Sequence, residues 1–346
     1  MSEFLVLRKI HTMKRIVILL VMAYGIQATA QSNINEILAA GLNDAETFTA
    51  AYLEPATEGF MYSISSGWYN TADAKPLAGF EISFIGNMSN FKNKPDKKEF
   101  VFDTADYENL QLASGGTTET VSSALGDIEG VGVFIEGPGG ALRTDFELPT
   151  GLASEDINFV PSGFIQASVG LIKGTEVKVR FLPNINTDDF SMGMYGVGVQ
   201  HEFTKHLPAD KLLPVAISAV IGYTHLDASY DFTNTSVIAG QDQMLEVDVN
   251  TWLFEAVVST RLPVINFYGG IGYISGKSTT DVLGTYIVQS GPLQQTYVDP
   301  FSIDSSVGGV TANLGTKLKL GFFRLHADYA IAEFNTLSFG LSFGFR

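Results

Sequence analysis

The most regular pattern in the chain lies at its C-terminus, where large apolar residues take every second position. Leu337, Phe339, Leu341, Phe343 and Phe345 share one side of an extended strand, and Ser338, Gly340, Ser342 and Gly344 share the other. A period of two puts all the bulk on one face of a sheet. The preceding segment repeats it, with Phe323, Leu325, Ala327, Tyr329 and Ile331 opposite Arg324, His326, Asp328 and Ala330. Before that, Val310, Leu314 and Leu318 alternate with Asn313, Gly315, Lys317 and Lys319. Such segments run to about 10–16 residues, against about 5–6 for an average strand of a soluble protein. Long strands with one oily face and one face of Gly, Ser and scattered charge predict a lipid-facing barrel rather than a secreted sandwich.

Counted backward, the alternating segments fall at 336–346, 322–334, 305–320, 264–280, 246–261, 214–230, 193–203, 175–184, 162–172, 98–111, 76–90 and 59–69. The expected fold is all-β, a transmembrane antiparallel β-barrel of about 12 strands (10–14) with a short N-terminal helical segment. Links at Gly321, Leu262-Pro263, Lys173-Gly174, 92–97 and Thr204 to Pro214 are expected on the periplasmic side. The long links 112–161, 231–245 and 281–304 are then extracellular, and both mature termini are periplasmic. The outward residues Phe339, Leu341, Phe343 and Phe345 resemble the terminal signal that engages the barrel assembly machinery, although Arg346 replaces a final aromatic.

The N-terminus follows other rules. Lys14-Arg15, the apolar run from Ile16 to Ala23 and Ala28-Thr29-Ala30 read as a signal peptide over 1–30, with Met13 an alternative start. The run is too short for the ~20 residues that cross a bilayer as a helix. Residues 31–57 form the second unit: a short helix from Asn33 ends at Gly41, and Asn43 with Glu46 caps another that stops at Pro55. This unit either packs beneath the barrel as a periplasmic tail or plugs the lumen with Ile37, Leu38, Leu42, Phe48, Tyr52 and Pro55. The barrel itself is expected over 58–346.

Composition narrows the chemistry. The chain has 346 residues, 35 glycines, 25 phenylalanines and no cysteine, which removes disulfides, thiolate metal sites and cysteine nucleophiles. Its 37 acids outnumber 21 bases, so nucleic acid is not an expected partner. Losing the leader removes four bases and one acid, and takes the net charge from -16 to -19. The alternation sends Glu81, Glu176, Lys178, Arg180, Gln200, Glu202, Glu255, Lys317, Lys319, Arg324, His326 and Asp328 into the lumen. These either pair across the strands and fill a closed interior or line a solute path. Gly340-Leu341-Ser342-Phe343-Gly344 fits a nucleophile-elbow pattern but lies in a terminal strand with no helix after it, so it implies no catalysis. His225 with Asp227, near the expected outer rim, is the one pair worth testing, and no enzyme, metal site or cofactor is expected. The adjacent acids Asp188 and Asp189 read as a solvated loop rather than a calcium site.

Three stretches carry a resemblance: Gly174-Thr175-Glu176-Val177-Lys178-Val179-Arg180-Phe181-Leu182-Pro183, Gly196-Val197-Gly198-Val199-Gln200-His201, and Tyr52-Leu53-Glu54-Pro55 with Gly67-Trp68-Tyr69. With these the chain resembles an uncharacterised family of Gram-negative outer-membrane barrels, which has no assigned activity to carry over. In plan it is more distantly similar to outer-membrane long-chain fatty-acid transporters. Those have an Asn-Pro-Ala turn where Glu54-Pro55-Ala56 stands here, and 14 strands against about 12. Both departures weaken the transfer of hydrophobic-substrate transport; the plug-like N-terminus together with the charge-lined interior instead points to a passive channel for small or hydrophobic solutes, gated by that plug. A closed structural barrel acting through its outer loops is the alternative. The expected partners are outer-membrane lipid, the assembly machinery and a small or hydrophobic solute.

Overall fold

The computed structural model describes residues 37–38, 40–136, 143–208, 210–231, 239–290 and 293–345. The leader over 1–30, the helix start at Asn33 and the glycine cluster Gly137 to Gly140 lie outside the described residues. The chain first forms α1 (Leu42–Ser65), then an extended stretch over 66–79, then β1 (Phe80–Asn90). Residues 91–158 leave the main sheet and carry β2 (Glu99–Asp103), β3 (Leu110–Leu112), β4 (Thr118–Ser122), β5 (Gly132–Glu136) and β6 (Arg143–Glu147). The long strands follow: β7 (Phe159–Ile172), β8 (Thr175–Asn186), β9 (Phe190–Glu202), β10 (Val215–Asp231), β11 (Ala239–Thr260) and β12 (Ile265–Ser290). The short β13 (Leu293–Val298), then β14 (Phe301–Leu320), β15 (Phe323–Ile331) and β16 (Asn335–Phe345) complete the chain.

Ten of these strands close a ring in the order β11-β10-β9-β8-β7-β1-β16-β15-β14-β12, with β12 returning to β11; β13 extends β12 as an added strand. Closure gives each barrel edge a partner, which removes the unpaired backbone groups of an open sheet. The register alternates as the sequence requires, with Phe80 opposite Phe345 and Phe323 opposite Phe343 on the outside. Phe84, Tyr195, Trp252, Phe267, Leu314, Tyr329 and Phe339 are exposed on the outer wall. The terminal residues Phe343 and Phe345 also face out, and Leu341 is half-buried beside them.

The expected count of about 12 becomes ten, because two segments are not barrel strands. Residues 98–111 enter the outer excursion, where β2 pairs with β4 and β3 pairs with β5. Residues 59–69 are the end of α1 and the start of the extended stretch. Phe60, Tyr62 and Ile64 alternate in sequence, but the helix begun at Leu42 runs through Pro55 without stopping. A proline inside a helix disturbs the preceding turn, and here the carbonyl of Tyr52 accepts the amide of Ala124 at 2.9 Å. Asn43 is not the cap: Gly41 precedes the helix with φ 115°, and the Asn43 side chain donates to Glu108. The links 231–245 and 281–304 are in large part strand, since β11 and β12 extend to 22 and 26 residues.

The connections sort by length. Those at 173–174, 203–214, 261–264 and 321–322 lie at one end, the turn end, together with the start of β1 and the end of β16. The link at 92–97, expected there, instead opens the excursion at the opposite end, because β1 runs from the turn end to Asn90. The excursion forms a cap whose core is shared with α1. Ile37, Leu38, Phe48 and Tyr52 pack with Phe102, Leu110, Val121, Val133 and Phe146, and with Val282 and Phe301 of the upper wall. Leu42 lies against the same cluster. The described residues therefore begin at the cap end and finish at the turn end. Residues 58–75, expected as the first part of the barrel wall, lie inside the ring of strands instead.

Burial raises the phenols of Tyr52 and Tyr107 above the usual tyrosine range, with Asp106 and Asp44 adding to the effect at Tyr107. Tyr52 donates to the carbonyl of Thr150 at 2.6 Å, and Tyr107 stacks on Phe102. The stabilisation is complete below the ordinary tyrosine pKa of about 10 and is lost as pH rises through the higher folded values. Alkaline titration at 295 nm should show these two phenols ionising after the exposed tyrosines, together with loss of cap protection. If Tyr52→Phe leaves the late phase unchanged in amplitude, Tyr52 is not one of the groups responsible.

Candidate functional site

The site is the lumen, built from inward positions of the ten strands and the segment 59–75 that occupies it. Met61 and Ile64 of α1 meet Ile85, Phe164, Met194, Leu226 and Val249, which descend from five different strands. Alternation alone sends these five inward. The helix ends at Ser65, and Arg180 of β8 caps it: one guanidinium nitrogen donates to the carbonyl of Ile64 at 2.8 Å and of Ser66 at 3.2 Å. A cation at a helix C-terminus opposes the partial negative charge of the free carbonyls. The same guanidinium lies 3.5 Å from the Trp68 ring and 4.1 Å from that of Phe164. Arg180 is fully buried with no carboxylate in ion-pair contact among the described residues. Stacking and carbonyls take the place of a counter-ion.

The indole of Trp68 in turn rests on two glycines that face each other across β9 and β10, Gly198 and Gly222. A Cβ at either would come within 2.6 Å of the ring. Below it, the extended stretch is tied to the wall residue by residue. Tyr69 donates to Glu255 at 2.5 Å, and its hydroxyl lies 2.7 Å from the side-chain amide of Asn313. Asn70 donates to Glu81 at 2.8 Å. The carbonyl of Thr71 accepts from Gln200, that of Ala72 from Ser218, and the amide of Ala74 donates to Glu202. Lys75 reaches Glu176 with its ammonium at 3.3 Å and its backbone amide at 3.1 Å.

The expected lumen charges do meet inside. Glu81, Glu176, Lys178, Arg180, Gln200, Glu202, Glu255, Lys317, His326 and Asp328 are each at most 7% exposed, so this interior is filled rather than open. Lys319 and Arg324 are half-buried near the turn end. Glu81 is shared by Lys317 and Arg324, and Glu176 by Lys75 and Lys178. Glu202 accepts from Arg261 and Thr204. Asp328 accepts from Tyr268 at 2.8 Å. At the turn end, burial works against ionisation of Asp210, but the hydrogen bond from Arg261 holds its carboxyl below the usual range.

The plug residues expected from sequence are displaced from this site. Ile37, Leu38, Leu42, Phe48 and Tyr52 pack in the cap core, and Pro55 lies between cap and lumen in the middle of α1. Trp68, Tyr69, Asn70 and Lys75 do the lumen filling; the strand-like spacing of 59–69 concealed the first two, and 70–75 has no periodicity that would place the others. Ser342 bonds Ser83 at 2.8 Å in the sheet interior, away from any elbow. His225 faces outward, 3.0 Å from Asn250 and 3.9 Å from Asp227, beside the ring of Tyr195. No group of three or more metal-ligating side chains converges among the described residues, and none of the described helices is long and apolar enough to cross a membrane.

Three solved structures illustrate the likeness at the level of barrels. Ail, the attachment invasion locus protein of Yersinia pestis, shares 9% identity over 78% of this chain and 100% of its own, with TM-score 0.28. The translocator domain of the autotransporter NalP from Neisseria meningitidis shares 10% over 87% and 98%, with TM-score 0.33. The outer membrane transporter YddB from Escherichia coli shares 10% over 75% of this chain and 40% of its own, with TM-score 0.28. No curated protein matches the sequence. The model of the family of unknown function DUF6588 matches residues 11–345, and the chain belongs to that family.

Proposed function

We propose that this chain is an outer-membrane barrel through which small or hydrophobic solutes pass only when the segment 59–75 moves from the lumen. The carrying observation is the chemistry of its grip on the wall. Between Tyr69 and Lys75 the contacts are hydrogen bonds and ion pairs to Glu255, Glu81, Gln200, Glu202 and Glu176. Contacts of that kind are exchanged for water at modest net cost, because each partner is rehydrated when the pair opens. The membrane reading is supported by the outer wall, where Phe84, Val197, Trp252, Phe254, Ile271, Leu314 and Phe343 would be a liability in water. The proposal includes no catalytic step and no cofactor.

Liposome swelling with a small sugar tests it. Wild type should be nearly impermeant, and Asn70→Ala combined with Lys75→Met should swell at a clearly faster rate. No flux from a double variant that still migrates as a folded barrel sinks the proposal. Topology is checked separately, since the chain has no cysteine of its own. A single Asn43→Cys, at the exposed start of α1, should react with a membrane-impermeant maleimide on intact cells. Labelling only after the outer membrane is broken would reverse the assigned orientation.

A second reading has its own observation. The cap shares one apolar core with α1, a construction suited to displaying 91–158 on a closed barrel. Binding of a cell-surface component that vanishes when the cap is trimmed, with no flux from any variant, would favour it.

A further inference from the structure

We propose that the turn-end third of the lumen holds a small oxyanion, a carboxylate or a phosphate, between Lys178, Lys317 and the ring of His326. The inference deepens the solute-path reading by naming the class of solute, and it is tested apart from it.

Direct ion pairs supply the first argument. Two buried carboxylates, Glu81 and Glu176, serve four cations: Lys317 and Arg324 on one, Lys75 and Lys178 on the other. The remaining carboxylates of the lumen are engaged elsewhere. Glu202 is held by Arg261 and the Ala74 amide, Glu255 by Tyr69, and Asp328 by Tyr268. The partly exposed set at the mouth, Asp73 and Asp210, faces Lys205 and Arg261. Lys75, Lys178 and Lys317 are buried and Arg324 half-buried against these two carboxylates, so the group carries a local excess of positive charge, and such an excess away from water is costly until it is matched.

His326 supplies the second, independent argument. Its side chain is 5% exposed, and neither ring nitrogen has a hydrogen-bond partner among the described residues. A neutral imidazole always carries one N–H, and leaving it buried and unpaired is unfavourable. Lys317 stands directly opposite His326 in the register of β14 and β15. The wall around it is made of small inward residues, Ser83, Ser338, Gly340 and Ser342. The ring lies directly over Gly340, where a Cβ would fall 1.8 Å from its Cε1. An oxyanion here takes the imidazole N–H and offsets the surplus ammonium charge in one step, by charge-assisted hydrogen bonds.

Equilibrium dialysis of radiolabelled inorganic phosphate against the full-length protein in detergent, at fixed sodium chloride, tests the site, with acetate as competitor. Wild type should bind phosphate, acetate or both saturably at one per chain. His326→Ala and Lys317→Gln should each weaken binding about tenfold, the loss of one charge-assisted contact of about 1.4 kcal/mol. Gly340→Ala should do the same by pushing the ring aside while leaving every polar group in place. Absence of saturable binding of both probes to wild type overturns the proposal, and so does an affinity unchanged in both His326→Ala and Lys317→Gln. Binding without flux in the Asn70/Lys75 variant removes the solute path and leaves the site; flux without binding does the reverse.

Discussion

Gly222→Val is expected to open the barrel. Trp68 lies so close to β10 that a Cβ at 222 would sit 2.3 Å from its Cε2 and 2.5 Å from its Nε1. The indole has no room to retreat, because the Arg180 guanidinium covers it at 3.5 Å. Something must yield, and backbone hydrogen bonds of a closed sheet yield less readily than a side chain on an extended stretch. Forcing extra volume into a packed interior costs about 1–3 kcal/mol. Applied to an equilibrium between occupied and vacated lumen, that cost shifts the populations by roughly 5–150-fold. Liposome swelling should rise within that range relative to wild type. With Trp252→Phe as background, Trp68 is the single tryptophan, and its emission should move to the red as the ring reaches water. Unchanged swelling together with unchanged emission would mean the ring accommodates valine in place, and the gating reading would lose its mechanical basis.

The glycines behind this prediction show what the sequence revealed and what it hid. Gly198 and Gly222 face inward opposite each other on β9 and β10. Nothing local says that the paired absence of side chains is a seat for a tryptophan more than a hundred residues earlier. The same division holds for the charges. Glu81, Glu176 and Lys317 were sent into the lumen by period two, yet half their partners, Asn70 and Lys75, come from a stretch with no periodicity. The ten barrel segments themselves, though not the cap-end extents of β11 and β12, were legible because lipid and lumen impose opposite demands on successive residues. The N-terminal half of the reading failed where that demand stops. Inside a barrel a helix meets wall on every side, so α1 shows no clean apolar face, and its Phe60-Met61-Tyr62-Ser63-Ile64 passes for a strand. Pro55 reinforced the error by suggesting a stop that the surrounding cap makes unnecessary.

Asp44→Ala is expected to release the cap from α1. The carboxylate of Asp44 is 1% exposed and accepts three consecutive backbone amides, those of Glu108, Asn109 and Leu110, at 2.7, 2.8 and 2.9 Å. Asn109 closes the loop by donating its side-chain amide to the carbonyl of Ala40 at 2.7 Å. Three N–H groups oriented on one carboxylate fix the cap to the first turn of α1, where a negative charge is also favoured by the helix dipole. Truncation leaves these donors buried without a partner, at about 1–3 kcal/mol for each that water does not reach. A loss of roughly 3 kcal/mol or more is therefore expected for the cap. Hydrogen exchange over 104–112 and protease cleavage within 91–158 should both accelerate by about a hundredfold or more, while the barrel keeps its heat-modifiable migration. Asp44→Asn should fall between, since an amide keeps one acceptor oxygen and loses the charge. Because α1 is one helix from the cap to the lumen, the two variants also separate the routes to opening. If the cap holds the helix in place, Asp44→Ala raises swelling with Trp68 displaced. If the grip of Tyr69 to Lys75 suffices, the cap loosens alone and the lumen stays shut.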